Sequence, residues 1–198
     1  MADMRNEVPA AALAKLAALL DREIRYVVGG STGLALRGAA LERPPRDLDL
    51  YVDETEIGLA HAKLREYALD GPEESTTDKY RSILSHYRIG GTTVELVGRF
   101  RVSAGQSVYA TEVNEVLYPA SDWLGPPGGE IPVVPLGHEL LFNVLRDRPD
   151  RAALAGRLIA DRPEQHMPLL QELVRRNRLS DETAAVVMRY AGAWGDER

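Results

Sequence analysis

The chain has no cysteine among its 198 residues, which excludes disulfide bonds and thiol chemistry. Basic residues are also outnumbered: 24 Lys and Arg stand against 30 Asp and Glu, giving a net charge of -6. Broad binding to DNA needs a basic surface that displaces counterions, so we do not expect it here. The sequence has no apolar run long enough to span a bilayer and no basic and apolar leader at its start, so we expect a cytoplasmic location without membrane contact.

The remaining composition is that of a folded protein with a substantial core. Hydrophobic residues make up 44% of the sequence and charged residues 27%, which is typical of soluble globular proteins. The length suits one domain or a core with a small appendage. The pattern becomes helical near Pro135, so we predict an α/β core over residues 1–134 and a helical region over 135–198 that packs on it.

A strand, a glycine turn and a helix are predicted at residues 26–38, whose sequence is Tyr-Val-Val-Gly-Gly-Ser-Thr-Gly-Leu-Ala-Leu-Arg-Gly. Gly29 and Gly30 allow the backbone to approach a ligand closely, and Ser31 stands where we expect the helix N-cap. The unpaired amides at the start of a helix favour phosphate. We therefore predict that Gly29, Gly30 and Ser31 contact the phosphates of a ligand.

Two acids lie close together in the next predicted strand, in the run Arg-Asp-Leu-Asp-Leu at residues 46–50. The strand period of two places Asp47 and Asp49 on one face. Two neighbouring carboxylates repel each other unless a cation lies between them, and such oxygen ligands suit Mg²⁺. Arg37 and Arg43 precede this strand and are candidates for binding phosphate oxygens, since a guanidinium group can donate two hydrogen bonds to one phosphate.

The glycine–serine turn followed by Asp47-Leu48-Asp49 resembles the signature of the nucleotidyltransferase superfamily, which shares a palm-like core with DNA polymerase beta. The run from Gly29 to Leu50 is most similar to small prokaryotic members, the minimal nucleotidyltransferase and AbiEii-like groups. This resemblance covers about the first half of the chain. It implies an α+β fold, in which a mixed β-sheet is flanked by helices and followed by a small C-terminal helical bundle.

The resemblance also implies a third acid on a later strand, and Glu95 fits because it alternates with apolar residues in Thr-Val-Glu-Leu-Val. By this resemblance Asp47, Asp49 and Glu95 are the catalytic and metal-binding residues. It further implies two bound Mg²⁺ ions, with Mn²⁺ as a substitute, and a nucleoside triphosphate as the donor. Glu95 would accept the proton of the attacking hydroxyl group.

The acceptor is left open by the sequence: it is a hydroxyl group of a small molecule, as in antibiotic-modifying relatives, of a protein, or of tRNA. A protein or tRNA acceptor would suit a toxin–antitoxin system. A partner protein or a homodimer is also possible from the resemblance. A tRNA acceptor predicts a basic groove, formed by Arg37, Arg43, Arg81, Arg88 and Arg99. Many relatives have Ser or Thr in place of Pro45 and Lys in place of Asn143, which keeps open a non-catalytic nucleotide-binding or partner-binding module.

The other elements follow from periodicity and turn residues. A helix is predicted over residues 8–21, and another after Asp53, which we expect to cap it. Residues 70–79 are predicted to form a loop, and Gly90-Gly91 a tight turn between strands 80–89 and 92–100. Four helices are predicted at about 137–146, 151–161, 165–177 and 180–193. The four histidines show no metal-ligand spacing and receive no role: His61, His86, His138 and His166.

Overall fold

The structure is a computed structural model that describes residues 8–21, 23–125 and 129–192. Its strands form one mixed sheet of order β3-β4-β5-β2-β1-β8-β7, and β6 pairs with the end of β5. β1 is antiparallel to β2 and parallel to β8, while β2 and β5 are parallel. The strands are β1 (Val27–Gly29), β2 (Asp47–Val52), β3 (Glu73–Thr76), β4 (Tyr80–Ile89), β5 (Thr92–Ala104), β6 (Ser107–Ala110), β7 (Asp122–Leu124) and β8 (Ile131–Val133).

Helices precede, interrupt and follow the strands, so the predicted α+β class with a helical C-terminal region is confirmed. The helices are α1 (Ala10–Leu20), α2 (Gly30–Leu36), α3 (Ile57–Leu64), α4 (Leu136–Leu145), α5 (Pro149–Asp161), α6 (Pro163–Arg176) and α7 (Asp181–Tyr190). Short 3₁₀ helices flank α3 at Glu54–Glu56 and Arg65–Tyr67, and a π-helical turn spans Val113–Leu117. The predicted last helix reached Ala193, which lies outside the described residues.

Two compact units divide the described chain. The first contains the residues up to Thr76, together with Arg81–Phe100 and Thr111–Val134; the second contains Thr77–Tyr80, Arg101–Ala110 and the residues from Pro135 onward. Residues 77–80 and 101–110, which the sequence predicts as part of the α/β core, fall in the second unit, and the predicted boundary after residue 134 stays a prediction. Among the described residues no helix is long and apolar enough to cross a membrane.

The core of the first unit lies on one face of the sheet. Leu13, Leu16 and Leu20 recur on one side of α1 and are fully buried in a cluster with Leu48 and Leu50 of β2. Because side chains alternate along a strand, burying Leu48 and Leu50 directs the intervening acids to the opposite face. The apolar pattern of β2 therefore fixes where its carboxylates lie.

The second unit buries a polar pair formed by one residue of α4 and one of β6. His138 of α4 is fully buried, and its Nδ1 lies 2.6 Å from the hydroxyl oxygen of Tyr109. The imidazole ring also stacks on Phe142, with ring centroids 5.4 Å apart. Burial disfavours the charged imidazolium and lowers the pKa of His138 to about 3.

Two expectations about the first unit are wrong. Residues 73–76 form the edge strand β3 rather than part of a loop. Asp53 does not cap the helix that follows it, because its carboxylate accepts hydrogen bonds from the amides of Val113 and Asn114, at 2.9 and 2.8 Å. Asp53 therefore caps the π-helical turn that begins at Val113, and not the helical segment that follows it in the sequence. The hairpin turn is confirmed: Gly90 and Gly91 both have positive φ, as a type I′ turn requires.

Candidate active site

The turn between β1 and α2 is built on glycine. Gly29 ends β1 and is the N-cap of α2, and Gly30 has φ +64°, in the left-handed region that glycine adopts without strain. The expectation that Ser31 is the N-cap is therefore wrong, since the chain turns at Gly30 and Ser31 is the second residue of the helix. The hydroxyl of Thr32 donates to the carbonyl of Asp47 at 3.0 Å and ties α2 to β2.

The three predicted acids lie on one face of two neighbouring strands, β2 and β5. Asp49 is directly opposite Glu95 in the parallel pair of β2 and β5, and Gly29 is opposite Asp49 on the other side. Asp47 lies two residues before Asp49 on the same face, opposite Thr93. The backbone therefore aligns Gly29, Asp49 and Glu95 in one row across three strands.

The carboxylate of Asp49 occupies the space beside Gly30. A Cβ atom added to Gly30 would overlap Oδ2 of Asp49 and would lie 3.1 Å from its Cγ. No side chain larger than hydrogen fits there unless the carboxylate moves. The glycine turn and the second acid of the pair are thus in direct contact.

Two of the three acids have no side-chain partner among the described residues. The carboxylates of Asp47 and Glu95 are half-buried, and within the described ranges they make no hydrogen bond or ion pair. Leaving a partly desolvated carboxylate unpaired is unfavourable, so both favour binding of a cation. No group of three or more His, Cys, Asp or Glu side chains that could hold a metal ion is assembled in the part of the chain that the structure describes.

The residues nevertheless fit Mg²⁺ in chemical type and in backbone register. This ion commonly takes one or two carboxylates and completes its coordination with water and substrate phosphates, so a closed protein cage is not required. Asp47, Asp49 and Glu95 supply oxygen donors of that kind. Since neither thiol nor histidine contributes, a hard cation such as Mg²⁺ or Mn²⁺ matches this donor set better than a softer metal.

Arg37 has a role different from the expected one. Its side chain is 7% exposed and pairs with Asp122 of β7 at 2.8 Å. It also donates to the carbonyl of Gly33 at 3.4 Å. The phosphate contact expected for Arg37 is not supported, because its guanidinium group is buried and its charge is balanced by Asp122.

The predicted basic groove is also not supported. Like Arg37, Arg99 pairs with acids, in this case Glu54 and Glu74. Two of the five arginines proposed for the groove are therefore neutralised. Arg43, by contrast, is exposed in the connection to β2 and makes no ion pair within the described residues, so it stays a candidate for phosphate binding.

Two further positions bear on the sequence predictions. The buried Asn143 donates to the carbonyl oxygen of Glu139 at 2.8 Å and to its carboxylate at 3.1 Å, so its side-chain amide makes hydrogen bonds within α4.

His86 received no role from the sequence but lies in β4, which neighbours β5 in the sheet. The sequence signal for its position is the two-residue turn Gly90-Gly91, because a turn of that length fixes the register of β4 and β5 and sets residue 86 opposite residue 95.

Comparisons with known proteins identify the fold. No model of a known protein family matches the sequence, and no curated protein does. The crystal structure of TM1012 from Thermotoga maritima, assigned as a nucleotidyltransferase, matches with a TM-score of 0.59 and 23% identity over 76% of this chain and 91% of that one. The solution structure of the antibiotic-resistance factor ANT(2″)-Ia matches with a TM-score of 0.52 and 14% identity over 93% and 97%.

These similarities show that the chain has a nucleotidyltransferase-like fold, as the sequence resemblance implied. At such identities they show the fold and not the activity. Membership of the minimal or AbiEii-like groups, and the roles of individual residues, stay predictions.

Proposed function

We propose that this protein transfers a nucleoside monophosphate from a nucleoside triphosphate to a hydroxyl group. The fold supports this proposal, and one observation carries it. Asp49 and Glu95 are opposite each other on neighbouring strands, with Asp47 on the same face. The half-buried carboxylates of Asp47 and Glu95 have no partner in the part of the chain that the structure describes. This arrangement suits binding of a divalent cation together with a phosphate chain.

Asp47, Asp49 and Glu95 would hold Mg²⁺, with Mn²⁺ as a substitute, and we propose two ions as the resemblance implies. When bound, the cations offset the negative charge of the phosphates and of the leaving pyrophosphate. The carboxylates would otherwise repel an anionic nucleotide. The role of the acids is therefore to make nucleotide binding depend on the metal.

The other site residues act on the nucleotide and the acceptor. The turn at Gly29, Gly30 and Ser31 lets the backbone approach the phosphates, and Arg43 pairs with their oxygens. The acceptor oxygen forms a bond to the α-phosphorus while the bond from that phosphorus to the bridging oxygen breaks, and pyrophosphate leaves. Glu95 accepts the proton of the attacking hydroxyl group.

Among the acceptor classes, we propose a small hydroxylated molecule. An RNA acceptor needs a basic surface, whereas the net charge is -6 and both Arg37 and Arg99 are paired with acids. The similarity to ANT(2″)-Ia, an antibiotic-resistance factor, agrees with a small acceptor. Nothing observed in the first or the second unit favours a protein acceptor or a toxin–antitoxin role.

The test is a transfer assay on the purified protein. Each of the four common nucleoside triphosphates is incubated with Mg²⁺ and a panel containing tobramycin, a nucleoside, a sugar and glycerol, and mass spectrometry detects the added nucleoside monophosphate. We expect transfer by the wild type and none by Asp49→Asn. Glu73→Gln, which removes an exposed strand acid, should keep wild-type activity. Wild-type turnover by Asp49→Asn would refute the assignment.

A non-catalytic nucleotide-binding module is the second proposal, because no metal-binding group of three side chains is assembled among the described residues. Such a module would bind a nucleotide with Mg²⁺ and release no pyrophosphate with any acceptor. The same assay distinguishes the two proposals, provided that nucleotide binding is measured alongside it.

A further inference from the structure

His86 lies on the same face of the sheet as the acids. β4 and β5 are joined by the two residues Gly90 and Gly91, and such a turn pairs residue 89 with 92 and therefore His86 with Glu95. Burial agrees with this register, because Tyr87 and Val94 belong to one core cluster on the opposite face. The row Gly29, Asp49 and Glu95 thus continues to a histidine on the next strand.

Asp70 fixes this histidine in two places. Its Oδ1 accepts a hydrogen bond from the backbone amide of His86, and its Oδ2 lies 2.6 Å from the ring Nδ1. The amide of Leu69 donates to the carbonyl of His86 at 2.8 Å and holds the Asp70 segment against β4. Hydrogen bonds from the segment at Leu69 and Asp70 therefore hold both the backbone and the ring of His86 in place.

The ionised carboxylate of Asp70 determines which ring nitrogen is available. Partial burial raises the pKa of this carboxyl, but hydrogen bonds from the His86 amide and ring outweigh that effect and lower it below its ordinary value. A carboxylate accepts hydrogen bonds and donates none, so Nδ1 carries the proton. In the neutral ring Nε2 is then a hydrogen-bond acceptor, and the side chain of His86 is 33% exposed.

We propose that His86 binds a second hydroxyl group of the acceptor, next to the one that reacts, and so selects molecules with adjacent hydroxyl groups. This inference rests on the proposed function. Directly opposite residues on neighbouring strands have Cβ atoms about 5 Å apart, so Glu95 and His86 can serve two hydroxyl groups of one small molecule. Glu95 takes the proton of the reacting hydroxyl, and Nε2 of His86 accepts a hydrogen bond from its neighbour. Asp70 is a positioning residue.

The first experiment tests where His86 lies, with Mn²⁺ alone as the probe. In ¹⁵N-histidine NMR spectra, paramagnetic Mn²⁺ bound at the acids should broaden the ring signals of His86 at lower concentration than those of His61. His61 is the internal control, because its ring bonds to the hydroxyl of Tyr87, at 2.8 Å, on the core side of the sheet. The selective broadening should disappear in Asp49→Asn. Equal broadening of both histidines, or broadening that persists in that variant, would overturn the proposal.

The second experiment tests what His86 does, with glycerol and 1-propanol as matched acceptors. His86→Ala should raise the KM for glycerol roughly tenfold and leave the KM for 1-propanol and the affinity for the nucleotide unchanged. His61→Ala should change neither acceptor. Asp70→Asn should raise the KM for glycerol less than His86→Ala does, and should shift the ¹⁵N signals of the His86 ring as its tautomer changes.

The outcomes separate this inference from the proposed function. A wild type that binds no nucleotide with Mg²⁺ contradicts both. A wild type that binds a nucleotide but transfers nothing to glycerol overturns the role of His86 and leaves the nucleotide site standing. Equal effects of His86→Ala on glycerol and 1-propanol also overturn it, because they indicate a general structural role.

Discussion

Gly30 and Asp49 are complementary in shape: the carboxylate of Asp49 lies where a Cβ of residue 30 would be. The same residue has φ +64°, a conformation that glycine adopts without strain. Position 30 therefore requires glycine for two reasons, its backbone conformation and the lack of space for a Cβ. This contact holds the turn after β1 against the second acid of β2, as the proposed nucleotide site requires.

Gly30→Ala should therefore remove metal-dependent nucleotide binding and lower stability. The left-handed conformation costs an alanine about 1–2 kcal/mol, and the overlap displaces the Asp49 carboxylate in addition. Gly38→Ala is the matched control, because Gly38 has φ +81° and an added Cβ would meet nothing within 4 Å. We expect the control to lose stability but to bind nucleotide normally, as measured by urea unfolding and calorimetry. Equal nucleotide affinity in both variants would contradict the proposed contact.

Asp122→Asn should destabilise the protein without weakening nucleotide binding. It removes the negative charge that lies 2.8 Å from the guanidinium group of Arg37, whose side chain is 7% exposed. We expect a loss of about 1–3 kcal/mol in the free energy of unfolding. Glu54→Gln is the control, since both side chains of the Arg99–Glu54 pair are exposed and such a pair contributes less than about 1 kcal/mol. A large loss of nucleotide affinity in Asp122→Asn would restore the phosphate role of Arg37.

Arg43→Ala should show the opposite behaviour. Arg43 is exposed and makes no ion pair in the ranges described, so its removal should leave the urea midpoint unchanged. If it contacts phosphate, the Kd for the nucleotide with Mg²⁺ should rise about tenfold, because charged hydrogen bonds to phosphate are among the stronger ones. An unchanged Kd by calorimetry would remove Arg43 from the site.

Stability should fall below neutral pH because of His138. Full burial lowers its pKa to about 3 in the folded protein, against about 6.5 when unfolded. Between these values the unfolded chain binds a proton that the folded chain does not, so the free energy of unfolding decreases as pH falls, by up to about 1.4 kcal/mol per pH unit. The full contribution is present above pH 6.5.

Urea unfolding at pH 7.5 and 5.5 measures this effect. His138→Gln should be less stable than the wild type at pH 7.5, since the 2.6 Å contact between the Tyr109 hydroxyl and the imidazole Nδ1 is lost. Its stability should nevertheless change less between the two pH values. The same pH dependence in both proteins would show that His138 is not the group responsible.

Local signals were enough to predict much of the first unit. The alternation of Leu48 and Leu50 with two aspartates predicted both the strand β2 and the face on which its acids lie. Burying the two leucines on one face of the sheet directs the aspartates to the other. The pair Gly90-Gly91 gave the hairpin, since few other sequences adopt positive φ at two successive positions.

Features that depend on distant contacts could not be predicted. β3 is an edge strand of Glu-Glu-Ser-Thr with no buried position, so it lacks the apolar alternation that marks a strand. Arg37 finds its partner 85 residues away in Asp122. Asp53 looked like a helix cap, but the tertiary structure offers its carboxylate the amides of Val113 and Asn114 instead.

Calorimetric titration of ATP, GTP, CTP and UTP with Mg²⁺ tests the central claim most directly. The wild type and Glu73→Gln should bind at least one nucleotide in a metal-dependent manner. The double variant Asp47→Ala/Asp49→Ala should stay folded, as judged by circular dichroism, and bind none. Metal-dependent binding that survives in the double variant, or a folded wild type that binds no nucleotide, would contradict a nucleotide site at these acids.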